Sequence, residues 1–315
     1  MAISWAQAGV DPKRRFKFKL KLGDVAEYYV KTATMPKANV SSIEHSYFDY
    51  TFKFPGRVTW DPITVTMVAP SKGLEDPTDL LISYPDRKFN PDYAITEWLW
   101  YLSQHKSTVN IGKMAKIWDM IKDDKGECES NYGEYLIPTG QWHWVINELA
   151  QDADSRRATI AINQPYHKNK NSKDIPCTQY LQFFIRDNKL NMGVYMRSND
   201  VVYGFCNDIF TFALFHQLMF NSLRKIYGEE FKLGEYTHHA GSMHIYERHY
   251  DMANKIISNK AAEYYKADNP KIVVHPDVDL DYILANELYL PREDMSKDEI
   301  KKVSQEISSK ILIRG

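Results

Sequence analysis

Cys177 follows a proline and stands just ahead of a run, Gln179–Arg186, whose residues read as a strand. Two adjacent arginines, Arg156 and Arg157, lie about twenty residues before it. A third, Arg197, lies twenty residues after it within Met196-Arg-Ser-Asn-Asp200. A cysteine on its own is most often a small, inert hydrophobe. Arginines near a thiol favour the thiolate, the form that attacks electrophiles. Arginine beside serine also forms an anion cradle, because guanidinium N–H groups match phosphate oxygens.

The elements that must position these residues follow from hydropathy patterning. Phe16, Phe18, Leu20 and Leu22 alternate with lysines, the period of a half-buried strand. Tyr47–Phe54 reads as a second strand, Pro55-Gly56 as a turn, and Val58–Val68 as a third strand. The run Ala69–Gly73 carries loop residues and reads as a junction. Beyond it, 92–102 and 141–150 read as helices, and 158–163, 180–186 and 190–197 as strands. Apolar residues from Ile209 to Ile226 form a broad stripe that predicts a helix over 208–227. Residues 244–257 read as a further helix. The charged stretch 270–315 reads as a helical appendage, with 296–311 its clearest helix.

Composition sets the class. The chain has 315 residues, 43% hydrophobic and 26% charged, with a formal net charge of −1. That is ordinary for a globular protein and gives no bulk electrostatic case for nucleic acid or membrane binding. The charge is uneven: residues 1–72 carry +5 and residues 73–315 carry −6. We therefore divide the chain into a β-rich segment, 1–72, and a larger unit, 73–315. Three cysteines form no disulfide framework, and the chain opens without a secretory leader pattern, so a cytoplasmic protein is expected. No histidine spacing suggests a metal site.

Seven motifs follow one another in order: Glu97-Trp-Leu-Trp-Tyr-Leu102, Asn131-Tyr-Gly133, Asp154-Ser-Arg-Arg157, Pro176-Cys177, Arg197-Ser-Asn-Asp200, Gly204-Phe-Cys-Asn-Asp208 and Gly241-Ser-Met-His-Ile-Tyr246. This order resembles the thymidylate synthase / deoxycytidylate hydroxymethylase family over about residues 73–257. The resemblance implies an α/β (α+β), three-layer fold with a large mixed sheet. It implies one-carbon transfer from 5,10-methylenetetrahydrofolate to C5 of dCMP or dUMP, after a cysteine adds at C6. Cys177 is then the nucleophile and Glu97 the residue that organises water and proton transfer. Arg197 and Ser198 match the phosphate-binding pair. Arg156 and Arg157 match arginines that reach the partner's nucleotide, implying a homodimer. His244 and Tyr246 match the deoxyribose-binding pair, and Asp200 the pterin-binding aspartate. Trp118 and Tyr132 match aromatic positions of the site. Simpler roles stay open: Glu97 could only pair or cap, His244 could be a core histidine, and Trp118 and Tyr132 could be packing.

One position bears on the base. The family's uracil-reading asparagine falls eleven residues after the motif arginine, and that position here is Asp208. An ionised carboxylate accepts from the N4 amino group of cytosine and cannot donate to O4 of uracil. This resembles the phage deoxycytidylate hydroxymethylases, whose product is 5-hydroxymethyl-dCMP. Asn207 sits one residue earlier, so uracil specificity remains a second reading. Asp208 could also merely cap the helix it begins. The C-terminal Lys310–Gly315 does not match the apolar tail of thymidylate synthases, which favours entry of water. Residues 1–70, notably Phe54–Val68, resemble the start of a phage tail tube protein. An inert structural fusion is thus the rival reading. Arg14, Arg15, Arg57 and Arg87 are candidates for a phosphate ligand that the resemblance places near the family's N-terminus.

Overall fold

The computed structural model describes residues 30–33, 38–47, 50–60, 63–68, 88–169, 172–258 and 272–314. The expected strand over 16–22 and the junction at 69–73 lie outside the described residues, as do Arg14, Arg15 and Arg87. The chain opens with β1 (Val30–Ala33), β2 (Ala38–Tyr47), β3 (Tyr50–Trp60) and β4 (Ile63–Val68). Helices α1 (Pro91–Leu102), α2 (Ile111–Met114), α3 (Lys116–Ile121), α4 (Gly133–Leu136) and α5 (Gln141–Gln151) follow. Next come β5 (Thr159–Ala161), β6 (Thr178–Arg186), β7 (Lys189–Met196), β8 (Asn199–Asp200) and the long α6 (Gly204–Tyr227). The remainder is β9 (Lys232–Ala240), β10 (Met243–His244), α7 (Tyr250–Ser258), β11 (Ile272–Val274), α8 (Leu280–Ala285), α9 (Lys297–Ile311) and β12 (Leu312–Arg314).

A six-stranded mixed sheet, in the order β1-β4-β9-β7-β6-β5, is the frame. β6 and β7 form a hairpin, and β7 runs parallel to β9 through the α6 crossover. β4 pairs antiparallel along the free side of β9, from Ile63↔Ala240 to Val68↔Glu235. The charge change at 72/73 therefore does not coincide with a break in the sheet. α6 packs its apolar stripe into the core: Ile209, Phe212, Phe215, Leu218 and Leu223 are fully buried. Trp98 of α1 and Trp142 of α5 meet Phe215 at ring-centroid distances of 6.2 and 6.1 Å.

Four expectations change. Pro55-Gly56 does not turn the chain: β3 runs through it, and Ser42 pairs with Pro55 beside a bulge. Among the described residues β2 and β3 pair only with each other, and there a proline's missing N–H faces no third strand. The 208–227 helix starts earlier, at Gly204, because the Asp200 carboxylate accepts from Val202 N (3.2 Å) and Tyr203 N (3.0 Å) and seeds the first turn. The 244–257 helix starts later, at Tyr250, because Met243–His244 pairs with β8 and the His244 carbonyl accepts from Val201 N at 2.9 Å.

The fourth concerns 270–315, which is not an appendage. Ile300, Ile307 and Ile311 of α9 join the main core. Thr96 of α1 donates to Ser304 Oγ at 3.1 Å, and Leu290 N bonds Leu99 O at 3.1 Å. Ser296 caps α9 through a reciprocal capping box with Glu299.

Candidate active site

The site forms where α1, the segment ahead of β6, the β8–β10 pair and the start of α6 converge. Asn90 caps α1 by accepting from Tyr93 N at 3.1 Å, and Pro91 occupies the first turn. The helix carries Tyr93 and Glu97 one turn apart, and the Tyr93 hydroxyl donates to Glu97 Oε1 at 2.8 Å. Trp118 Nε1 in turn donates to Tyr93 Oη at 2.9 Å. Glu97 is buried, and that burial pushes its carboxyl up to about 8; the Tyr93 bond opposes the rise and the Asp208 charge adds to it.

Tyr132 is held against the end of α1. Asn131 caps that end by donating from Nδ2 to the carbonyls of Trp100 and His105, both at 2.8 Å. Gly133 allows the approach, since a Cβ there would stand 1.6 Å from the Tyr101 carbonyl oxygen. The Tyr132 ring stacks between Tyr101 (5.0 Å) and Phe212 (5.7 Å). Its hydroxyl lies within the fields of Asp208 and Cys177.

Asp174 ties the cysteine segment to the tyrosine segment. Its carboxylate accepts from Ser130 N (2.7 Å) and Ser130 Oγ (2.6 Å). Cys177 follows three residues on, half-buried and free of any disulfide. Arg197 holds the same segment from the other side. Its Nε donates to Pro176 O at 3.2 Å and its terminal nitrogen to Ile175 O at 2.7 Å, while Arg197 N bonds Cys177 O at 2.8 Å. Burial nevertheless pushes the Cys177 thiol up; Arg197 pulls it down, and Asp208 and Asp174 add to the rise. Arg197 thus lowers this thiol as expected, but in the free protein desolvation outweighs that one guanidinium. Arg156 and Arg157 are exposed, and Arg157 pairs with Glu148 at 2.8 Å.

β8 and β10 pair in parallel, with His244 opposite Asp200. This brings Ser198 Oγ within 3.5 Å of His244 Nδ1. Tyr246 meets the His244 ring edge-on at 4.9 Å. Asp208 lies in the second turn of α6, so it is not that helix's cap. Its Oδ2 accepts from Asn199 Nδ2 at 2.6 Å. Burial first, and the charge of Asp200 after it, push Asp208 up to about 7 against that bond. Its charge reaches Glu97, Cys177 and Tyr132.

A thiol and two carboxyls that burial pushes up thus share one partly dry site. The thymidylate synthase profile matches residues 83–289, more than half of the chain. The chain belongs to the thymidylate synthase family. Deoxycytidylate 5-hydroxymethyltransferases of Enterobacteria phages T4 and T2 are 35% identical to it over 171 residues, 51% of this chain and 69% of theirs. That of phage T6 is 35% identical over 173 residues. The fold is that of thymidylate synthases. The thermostable thymidylate synthase A of Bacillus subtilis superposes with a TM-score of 0.52 at 21% identity, over 70% of this chain and 78% of the other. The thymidylate synthase of phage T4 gives 0.54 at 18% identity, over 80% and 85%. As a member of this family the protein is a one-carbon transferase acting at C5 of a pyrimidine nucleotide.

Against the family pattern, the structure gathers Glu97, Tyr132, Cys177, Arg197, Ser198, Asp200, Asp208, His244 and Tyr246 around one region. Trp118 joins them through its bond to Tyr93, with its ring against Trp100 at 4.7 Å and only 7% exposed. Arg156 and Arg157 are not among the groups whose charge acts on Cys177. Sequence reading missed Tyr93, Asp174 and Asn199. The i, i+4 spacing of Tyr93 and Glu97 was a usable signal; the other two depend on contacts between distant elements.

Proposed function

We propose that the protein hydroxymethylates dCMP at C5, giving 5-hydroxymethyl-dCMP. The observation that carries this reading is Asp208: a carboxyl, not an amide, at the position facing Cys177 and Glu97. The 35% identity to phage deoxycytidylate 5-hydroxymethyltransferases supports it. Ionised, Asp208 accepts from the cytosine N4 amino group and, once N3 is protonated as the adduct forms, from N3–H as well. Toward uracil it would set two acceptors against O4.

Cys177 Sγ attacks C6 and turns C5 into an enamine-like nucleophile. Arg197 holds the carbonyls of residues 175 and 176 and so aims the sulfur, while its charge favours the thiolate. Together with Ser198 it also binds the nucleotide phosphate. Glu97 retains a proton at neutral pH, and because Oε1 already accepts from Tyr93, that proton sits on Oε2. From there it serves proton transfer at the base and orders the water that adds to the exocyclic carbon. His244 and Tyr246 hold the 3′-hydroxyl. 5,10-Methylenetetrahydrofolate supplies the one-carbon unit when bound. Asp200 suits the pterin: it is partly exposed, and its oxygens keep lone pairs beyond the two backbone bonds they accept. Trp118, largely covered, supports that region through Tyr93. Arg156 and Arg157, exposed on the surface, would reach the nucleotide phosphate of a partner protomer in a homodimer. The host cytoplasm of a phage-infected cell is the setting that fits this activity; among the described residues no helix is long and apolar enough to cross a membrane.

The deciding experiment incubates the purified protein with dCMP or dUMP and methylenetetrahydrofolate and identifies the product by mass. A gain of CH2O on dCMP is the expected result. Methylated dUMP as the main product would overturn the reading.

A further inference from the structure

Asn199 sits beside the motif residues, and its own side chain makes a directed contact with the base-reading carboxyl. Nδ2 donates to Asp208 Oδ2 at 2.6 Å, and the residue is 4% exposed. Its backbone is pinned by the bond from Asn199 N to Ser242 O, 2.9 Å, and by pairing opposite Met243 in β8–β10. Gly204 leaves the room: a Cβ there would lie 3.3 Å from Asn199 Nδ2 and 3.7 Å from Asp208 Oδ2. Among the described residues Asn199 is the one side chain hydrogen-bonded to the Asp208 carboxyl.

We infer that Asn199 is a positioning residue for base selection: by holding Oδ2 of Asp208 it fixes the carboxyl plane and leaves Oδ1 to read the substituent at pyrimidine C4. The inference rests on the dCMP reading above. The N–H group demands an acceptor, so it holds Oδ2 as one and keeps the carboxyl from turning. The bond to a charged oxygen also opposes the protonation that burial favours. The other groups facing Asp208 give no such help. Asp200 on β8, Glu97 with Tyr93 and Tyr101 on α1, Tyr132 ahead of α4, Cys177 ahead of β6 and Tyr236 on β9 are acids that share its field. Without the clamp the carboxyl turns more freely and takes up a proton more readily, including on the oxygen that faces the base. It then donates to O4, and rejection of uracil weakens.

The same clamp acts in reverse on the Asp208→Asn variant. There the Asn199 N–H selects the rotamer with the new amide's oxygen inward and its NH2 outward, toward O4. Removing Asn199 frees that amide to flip and weakens its preference for dUMP. The test measures kcat/KM for dCMP and dUMP in four proteins: wild type, Asn199→Ala, Asp208→Asn and the double variant. Asn199→Ala should lower the dCMP/dUMP ratio in the wild-type background and raise it in the Asp208→Asn background, each on the order of tenfold, the value of one hydrogen bond. A purely structural role moves both substrates together and leaves the ratios alone; that outcome overturns the inference. Gly204→Ala, which crowds Nδ2 while keeping Asn199, should act in the same directions to a smaller extent. It carries the test if circular dichroism shows that Asn199→Ala is misfolded, and unchanged ratios for it then overturn the inference. A wild type that prefers dUMP refutes the dCMP reading separately, since the opposite signs in the two backgrounds still report on the clamp.

Discussion

Replacing Glu97 with glutamine should cost activity and add stability, and the added stability should depend on pH. The folded protein raises this carboxyl from its ordinary 4.5 to about 8. Below 4.5 the group is protonated whether the chain is folded or not, and an amide in its place changes little. Between 4.5 and 8 the unfolded chain releases the proton while the folded chain keeps it, so stability drains away as pH rises toward 8. The span is about 3.5 pH units, and at about 1.36 kcal/mol each the ceiling is about 5 kcal/mol. Some of this passes to Asp208, whose charge acts on the same group, so a gain of about 2–3 kcal/mol at pH 8.5 is the working figure. Glutamine has nearly the same shape, and its oxygen can still accept from the Tyr93 hydroxyl. The assay is urea unfolding of both proteins at pH 5 and pH 8.5, at one protein concentration, with midpoints and slopes compared. A gain at pH 8.5 that shrinks to below about 1 kcal/mol at pH 5 is expected. Equal gains at both values, or none, would refute the claim that Glu97 sits in the folded protein as a buried acid.

Cys177→Ser should abolish turnover with folding intact, because a hydroxyl is far less nucleophilic than a thiolate; Cys128 and Cys206, both buried, should be replaceable by alanine in the same assay. Iodoacetamide should label Cys177 first, since burial pushes the Cys128 thiol up to about 12, and mass spectrometry of the digest identifies the site. Asp208→Asn should shift kcat/KM from dCMP toward dUMP by on the order of 10- to 100-fold, the cost of opposing acceptors at a buried site; an unchanged ratio would return the protein to uracil. Arg156→Ala with Arg157→Ala should raise the nucleotide KM, and mixing this variant with Cys177→Ser should restore activity in heterodimers; no recovery after confirmed subunit exchange would argue against shared sites.

The sequence pattern reveals α1, α5, α6 and the β6–β7 hairpin because each carries a dense apolar stripe or strict alternation. It shows α9 as a helix over 296–311 but hides its burial: Ile300, Ile307 and Ile311 stand among lysines and glutamates, and only the packing against α1 shows that they join the core. It misplaces the starts of α6 and α7 because both depend on β8: the turn that Asp200 holds through Val202 N and Tyr203 N leads into one, and the pairing of His244 withdraws its carbonyl from the other. Cys177, Glu97 and Asp208, the proposed nucleophile, acid and base-reading carboxyl, stand out in the sequence because covalent chemistry and base recognition restrict residue type. Asn199 and Asp174 do not, since each acts on a partner contributed by another segment. Nor does the state of the Cys177 thiol, for sequence displays nearby arginines and hides desolvation.

The seating of α9 on α1 has a consequence for synthesis. Thr96 finds its partner Ser304 only 208 residues later in the chain. At about 5–20 residues per second, that is ~10–40 s of translation. Throughout that interval the helix bearing Glu97 is outside the ribosome with one of its faces uncovered. The face of α1 that carries Thr96 therefore waits for the last helix of the chain, and a stop codon anywhere before α9 would leave it open.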